Sequence, residues 1–253
     1  MSLSPDAPPL PGTPSNGKLR VAAIGDLHVG ENHQAPYREL FARISDAADV
    51  LVLCGDLTNY GKTPEVEILA EDLQACTIPV VGVLGNHDYE CGQPQEVARI
   101  LHDAGMRILD GEAYEIEGVG FAGCKGFIGG FGRYMLSAFG EPEIKTFVQA
   151  SVDENLKLES SIRMLRTERI VVVTHYSPVQ DTVEGEPPEI FPFLGSARMG
   201  ETIDRFDGVK LALHGHAHRG AYQGRTARGV PVYNVARPVL NRDVGVEFAL
   251  YEV

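Results

Sequence analysis

Leu84-Gly85-Asn86-His87-Asp88 closes the apolar run Ile78-Pro79-Val80-Val81-Gly82-Val83-Leu84, and its reading decides the fold. A β-branched run of strand length ends there, and an amide, an imidazole and a carboxylate follow at once. In an open α/β sheet, ligands gather beyond the carboxyl ends of strands. These three side chains can supply a metal ligand, a proton donor and a group to orient that donor. Alone, the pentapeptide reads equally well as a turn, because Gly-Asn is ordinary turn chemistry. Recurrence of the pattern along the chain favours the site.

Upstream, the apolar run 19–24 ends in Gly25-Asp26-Leu27-His28, and the run 50–54 ends in Gly55-Asp56-Leu57-Thr58. Between them, Tyr37, Leu40, Phe41, Ile44, Ala47 and Ala48 keep the spacing of one helical face. The nearly all-apolar second run fits a strand covered on both sides. Thr63-Pro64 predicts an N-cap followed by proline at the first helical position. Pro94 opens a further helix with Val97, Ile100, Leu101 and Ala104 inward, and Gly105 marks its end. This alternation predicts right-handed βαβ units and a largely parallel sheet, with antiparallel strands later in the chain.

Residues 114–124 predict a hairpin, 126–140 a structured glycine- and aromatic-rich loop, and 143–166 a helix. The run 169–173 ends in Thr174-His175, and 209–213 ends in His214-Gly215-His216-Ala217-His218. Residues 179–208 predict a long loop ending in a short helix. A loop of this length is usually functional; it reads as a lid or a contact in a homo-oligomer, against the alternative of packing on its own domain. Three strand-like runs, near 221–226, 231–235 and 245–252, close the chain. Residues 1–18 hold five prolines and read as a flexible tail. Residues 19–253 then form a single domain with insertions near 125–166 and 179–208.

The chain has 253 residues with 43% hydrophobic content, enough for a substantial core. Its net charge of −13 repels polyanions and disfavours nucleic acid as a partner. Four scattered cysteines, with no C-x-x-C pair, exclude a zinc knuckle and fit a reducing, cytoplasmic location. No apolar run approaches the roughly 18 residues of a membrane span.

Five strand ends thus carry Asp26-x-His28, Asp56, Asn86-His87-Asp88, His175 and His216-x-His218. Imidazoles, carboxylates and an amide gathered at one sheet edge are costly to bury without partners, and a divalent metal is the economical partner. Asp26, His28, Asp56, Asn86, His175, His216 and His218 offer seven donors. One cation uses about four to six, whereas two sharing Asp56 use all seven. Nitrogen and oxygen donors without thiolate favour manganese, iron, cobalt, nickel or zinc.

In this order the five blocks resemble the calcineurin-like metallophosphoesterases, over about residues 19–235. The resemblance implies an α/β/β/α sandwich, two facing mixed β-sheets flanked by helices. It also implies a hydrolase with two divalent or mixed-valence transition-metal ions, manganese, iron or zinc foremost. Matched by motif, Asp26, His28 and His218 hold one metal, Asn86, His175 and His216 the other, and Asp56 bridges. His87 matches the histidine that serves the leaving group, and Asp88 is expected to orient it. The implied chemistry is attack on phosphorus by a hydroxide activated between the metals.

Protein phosphatases of this superfamily carry an arginine after the second block and glutamate in the third; here Leu57-Thr58-Asn59-Tyr60 and Asp88 stand there. A small-molecule phosphate ester is the expected substrate, a phosphodiester ahead of a nucleotide or sugar monoester. A non-catalytic scaffold of the same fold is the alternative, disfavoured by the full ligand set. His214 is expected behind the ligands, and Asn234 near them. Lys125, Arg133 and Tyr134 are expected either to contact substrate or to be structural, and His33 and His102 to be ordinary surface residues.

Overall fold

The computed structural model describes residues 17–253. The expected tail therefore lies outside the described residues, apart from Gly17 and Lys18. Strands β1 (Arg20–Ile24), β2 (Val50–Cys54), β3 (Val80–Val83) and β4 (Met106–Ile108) run parallel, and β11 (Ala249–Glu252) adds to β1 antiparallel. Helices α1 (Arg38–Ala47), α2 (Thr63–Leu73) and α3 (Pro94–Asp103) connect the parallel strands. The second sheet has the order β5 (Ala113–Ile116), β6 (Val119–Gly123), β7 (Ile170–Val173), β8 (Val209–His214), β10 (Pro231–Asn234) and β9 (Gln223–Arg225).

The expected antiparallel strands do occur later in the chain, as β5–β6, β9–β10 and β1–β11, but the middle of the second sheet is parallel. β6, β7, β8 and β10 run in one direction there. The reason is the connections. A helix, α4 (Pro142–Met164), lies between β6 and β7, and α5 (Phe191–Leu194) and α6 (Ala197–Ile203) lie between β7 and β8. Such crossovers return the chain in the same direction. The two regions read as insertions are thus the crossovers of the second sheet.

Alternation along the strands builds the layers. Val171 and Val173 of β7 share the main core with Val21, Leu51 and Val81 of the first sheet. Ile170 and Val172 point the other way, to Leu158 and Ile162 of α4 and Ile203 of α6. The outer face of the first sheet is covered by Phe41 and Ile44 of α1, Leu69 of α2 and Leu101 of α3.

Local chemistry differs from expectation at one cap. Lys62, not Thr63, is the N-cap of α2, because the Glu65 carboxylate accepts from the Lys62 and Tyr60 backbone N–H groups. Gly105 follows α3 with φ +98°, as a residue just past a helix end requires.

Phe41 is fully buried, whereas Phe139 is 88% exposed. Phe41→Ala should therefore lower stability by about 3–5 kcal/mol, and Phe139→Ala by no more than about 0.5 kcal/mol. Urea denaturation followed by circular dichroism measures both.

Candidate metal centre

The parallel strands of both sheets present their carboxyl ends to one shared edge. The loop after β10 joins the sheets there: Gly25 N–H donates to Val235 carbonyl (2.9 Å) and Val235 N–H to His214 carbonyl (2.7 Å). The loops after β1, β2, β3, β7 and β8 carry all seven predicted donors, and the structure brings all of them together.

Asp26, His28, Asp56 and His218 each offer a ligand atom within 4.8 Å of the others, and so do Asp56, His175 and His216. Asp56 belongs to both groups. Asn86 completes the second, with its Oδ1 3.0 Å from His175 Nε2. His28 Nε2 is buried without any hydrogen-bond partner. A buried polar atom left alone is costly, and a coordinate bond to a cation would satisfy it. The donor set therefore fits divalent transition metal.

The surroundings fix which nitrogen each imidazole presents. His175 Nδ1 donates to the Cys54 carbonyl (2.9 Å), leaving Nε2 toward Asp56 Oδ1 (3.3 Å). His216 Nε2 donates to the Phe193 carbonyl (3.2 Å), leaving Nδ1 free to bind. His218 Nε2 lies 2.8 Å from Asp26 Oδ1.

Electrostatics follow from burial and from Asp56. Burial pushes the His28 pKa down and takes His216 to about 3, so both are neutral, as ligands must be. Burial also opposes charge on Asp56 and His175. Their mutual attraction outweighs it, holding the Asp56 pKa below the carboxylate range and lifting His175 to about 9.

The backbone is strained at the same points. Asp26, His28, Asp56 and His216 have φ of 59°, 48°, 48° and 70°. Left-handed conformation at a non-glycine residue costs on the order of 1–3 kcal/mol and clusters at functional sites. Two glycines make room for the carboxylates. A Cβ at Gly85 would lie 2.2 Å from Asp56 N and Oδ1, and one at Gly215 would lie 2.3 Å from Asp26 Oδ2.

His87 faces the centre, its Nε2 3.9 Å from Asp56 Oδ2. Its expected orientation by Asp88 is corrected by the structure. His87 Nδ1 lies 2.7 Å from the Asn59 carbonyl instead. Asp88 is fully buried and accepts from Gly85 N, Leu57 N, Thr58 N and Thr58 Oγ1. The cause is directional: Asp88 points back under the β2 and β3 loops, and staples them together.

His214 sits behind the ligands as expected, with Nε2 2.7 Å from Thr182 Oγ1, which in turn meets Ser177 Oγ. Asn234 supports the His216–His218 loop by donating to the Ala217 carbonyl (2.7 Å). Lys125 is half-buried, donates to the Gly126 carbonyl, and lies among the rings of Tyr89, Phe127 and Tyr176. Arg133 is exposed, and the Tyr134 side chain lies outside the described residues. The 179–208 segment packs on its own domain: Leu194 joins Phe131, Val183 and Ala217, and Ser177 N–H donates to the Leu194 carbonyl. The Cys54, Asn59 and Phe193 carbonyls escaped sequence reading because main-chain groups carry no residue signature.

Two mixed sheets with outer helices and a shared-carboxylate His/Asp centre at their common edge define a metallophosphoesterase. The family model for calcineurin-like phosphoesterases matches residues 19–220, and the chain belongs to that family of phosphoric ester hydrolases. A probable cyclic nucleotide phosphodiesterase of Moraxella catarrhalis is 34% identical over 113 residues, 42% of this chain and 37% of its own length. The chain thus matches well under two thirds of that relative. A second protein of that name, from Synechococcus, is 26% identical over 82% of this chain and 76% of its own. Among solved structures, the fold is similar to phosphopantetheinyl hydrolase from Mycobacterium tuberculosis, with TM-score 0.62 at 15% identity over 94% of this chain and 97% of that one. No helix among the described residues is long and apolar enough to cross a membrane.

Gly85→Ala and Gly215→Ala should each weaken Mn(II) binding at least about tenfold, since backbone or carboxylate must move. Gly30→Ala, whose methyl would meet nothing closer than 3.7 Å, should not. Calorimetric Mn(II) titration of the three variants compares them directly.

Proposed function

We propose that this protein hydrolyses a small-molecule phosphodiester with two divalent ions. Asp26, His28 and His218 would hold one ion and Asn86, His175 and His216 the other, with Asp56 offered to both. The observation that carries this reading is the pair of donor groups sharing one buried carboxylate. Bound divalent ions supply Lewis acidity, neutralising phosphoryl oxygens and activating water. The names of the Moraxella and Synechococcus relatives favour a diester.

The chain's own residues do the rest. The Asn59 carbonyl holds the proton on His87 Nδ1 and aims Nε2 at the centre. A proton carried on Nε2 is then in place for the departing alkoxide, a contribution typically on the order of 10²–10⁴-fold. Asp88 acts as a positioning residue. By binding amides of the β2 and β3 loops, it keeps Asp56, Asn86 and His87 in one arrangement. Hydrogen bonds from His175 to Cys54 and from His216 to Phe193 prevent ring rotation.

Metal-stripped protein given back Mn(II) should hydrolyse bis(4-nitrophenyl) phosphate, and Asp56→Asn should not. His87→Ala should retain its manganese, yet lose about 10²–10⁴-fold in kcat. Faster turnover of 4-nitrophenyl phosphate would move the substrate to the monoesters. A manganese-loaded protein that turns over neither ester would contradict the proposal.

A further inference from the structure

Beside Asp26, His28 and His218 an open groove of about 560 Å³ continues away from the centre, lined also by His33, Tyr37, Arg237 and Asn241. Its lining is less acidic than the molecule as a whole. The protein carries a net charge of −13, yet the groove has one carboxylate, Asp26. That carboxylate is already engaged by His216 N–H and His218 Nε2.

Arg237 is mounted rigidly on this groove. It opens a short helical turn, α7 (Arg237–Val239). Its backbone N–H donates to the Gly25 carbonyl (3.0 Å), one residue before Asp26. Its Nη1 donates to Tyr37 Oη (2.8 Å), and the guanidinium lies over the Tyr37 ring, 5.3 Å from the centroid. Tyr37 is itself buried and fixed, because its hydroxyl donates to the Leu27 carbonyl and its N–H to Asp72 Oδ2. Arg237 and the Asp26–His28 turn therefore share one support.

Among the described residues no carboxylate pairs with Arg237, whereas Arg20 and Arg242 are each bonded to one and Arg99 to two. A guanidinium has five donors in a planar fork, pre-organised for an oxyanion. Here a hydroxyl and a ring position the fork and leave most of its donors open. His33 adds a further donor: its Nδ1 accepts from Gly30 N–H (3.0 Å), which leaves Nε2–H. Asn241 adds an exposed amide.

We propose that this groove binds a second phosphate of the substrate, separate from the scissile one, with Arg237 as the specificity-determining residue. The inference rests on the phosphoesterase reading above, since it assigns the far arm of an ester whose phosphorus sits at the centre. Among the described residues Arg237 has no carboxylate partner, and a second phosphate in the groove would be its counter-ion.

Butane-1,4-diol bisphosphate and butyl phosphate differ only in the second anion. Calorimetry on Mn(II)-loaded protein should show the bisphosphate binding about ten- to a hundredfold more tightly, the scale of a charge-assisted bidentate contact. In Arg237→Ala the ratio should fall to about one, and Arg237→Lys should restore part of it. Equal affinities in the wild type, or a ratio unchanged in Arg237→Ala, would overturn the assignment. Binding is read without turnover, so the two proposals fail separately. An Arg237-dependent preference without ester hydrolysis would spare the groove and sink the enzyme reading. Hydrolysis without the preference would do the reverse.

Discussion

Burial of the Asp56 carboxylate is the constraint to which the rest of the structure answers. It is 2% exposed and meets His175, His28 and His87 from three directions, while His87 N–H donates to its Oδ1. A carboxylate out of water needs positive charge and hydrogen-bond donors close by. One half-site draws on loops of the first sheet and His218; the other draws on the second sheet and Asn86. Asp56 is the group common to both, so the carboxyl ends of the two facing sheets must lie at the same end. The bridging contacts through Gly25, Val235 and His214 hold them there.

The price of this convergence appears in the backbone. Four of the seven donors lie in left-handed conformation, and glycines stand where a methyl would strike Asp26 or Asp56. Such strain persists only where surrounding structure over-determines it. Asp88 provides much of that determination on the first sheet, through four hydrogen bonds to neighbouring loops. On the second sheet, the His214–Thr182–Ser177 chain and Asn234 do the same behind the histidine loop. The polar groups beneath the centre are thus paired with one another, while His28 Nε2 within it is not.

The sequence was most informative where side-chain period and chemistry coincide. Apolar runs ending in Gly-Asp, Gly-Asn-His, Thr-His or Gly-His located five strand ends, and all seven donors meet in the fold. The direction of the later strands was less legible. Residues 126–141 and 174–208 mix glycine, proline and short helices, and their place in the crossovers depends on packing against the second sheet rather than on local pattern. The three residues of β4 are too few to show a period. Asp88 was read as the partner of its neighbour His87, but adjacent residues on a tight turn point apart, and apart from Gly85 its partners, Leu57 and Thr58, lie 31 and 30 positions earlier. Arg237 and Tyr37 are separated by 200 positions, so no local signal joins them.

The central claim is that two ions share Asp56. Electron paramagnetic resonance of protein loaded with two equivalents of Mn(II) tests it most directly. The account predicts the multiline spectrum of an exchange-coupled pair in the wild type, and its collapse to an isolated-ion spectrum in Asp56→Asn. An isolated six-line spectrum from the wild type at full occupancy would contradict it.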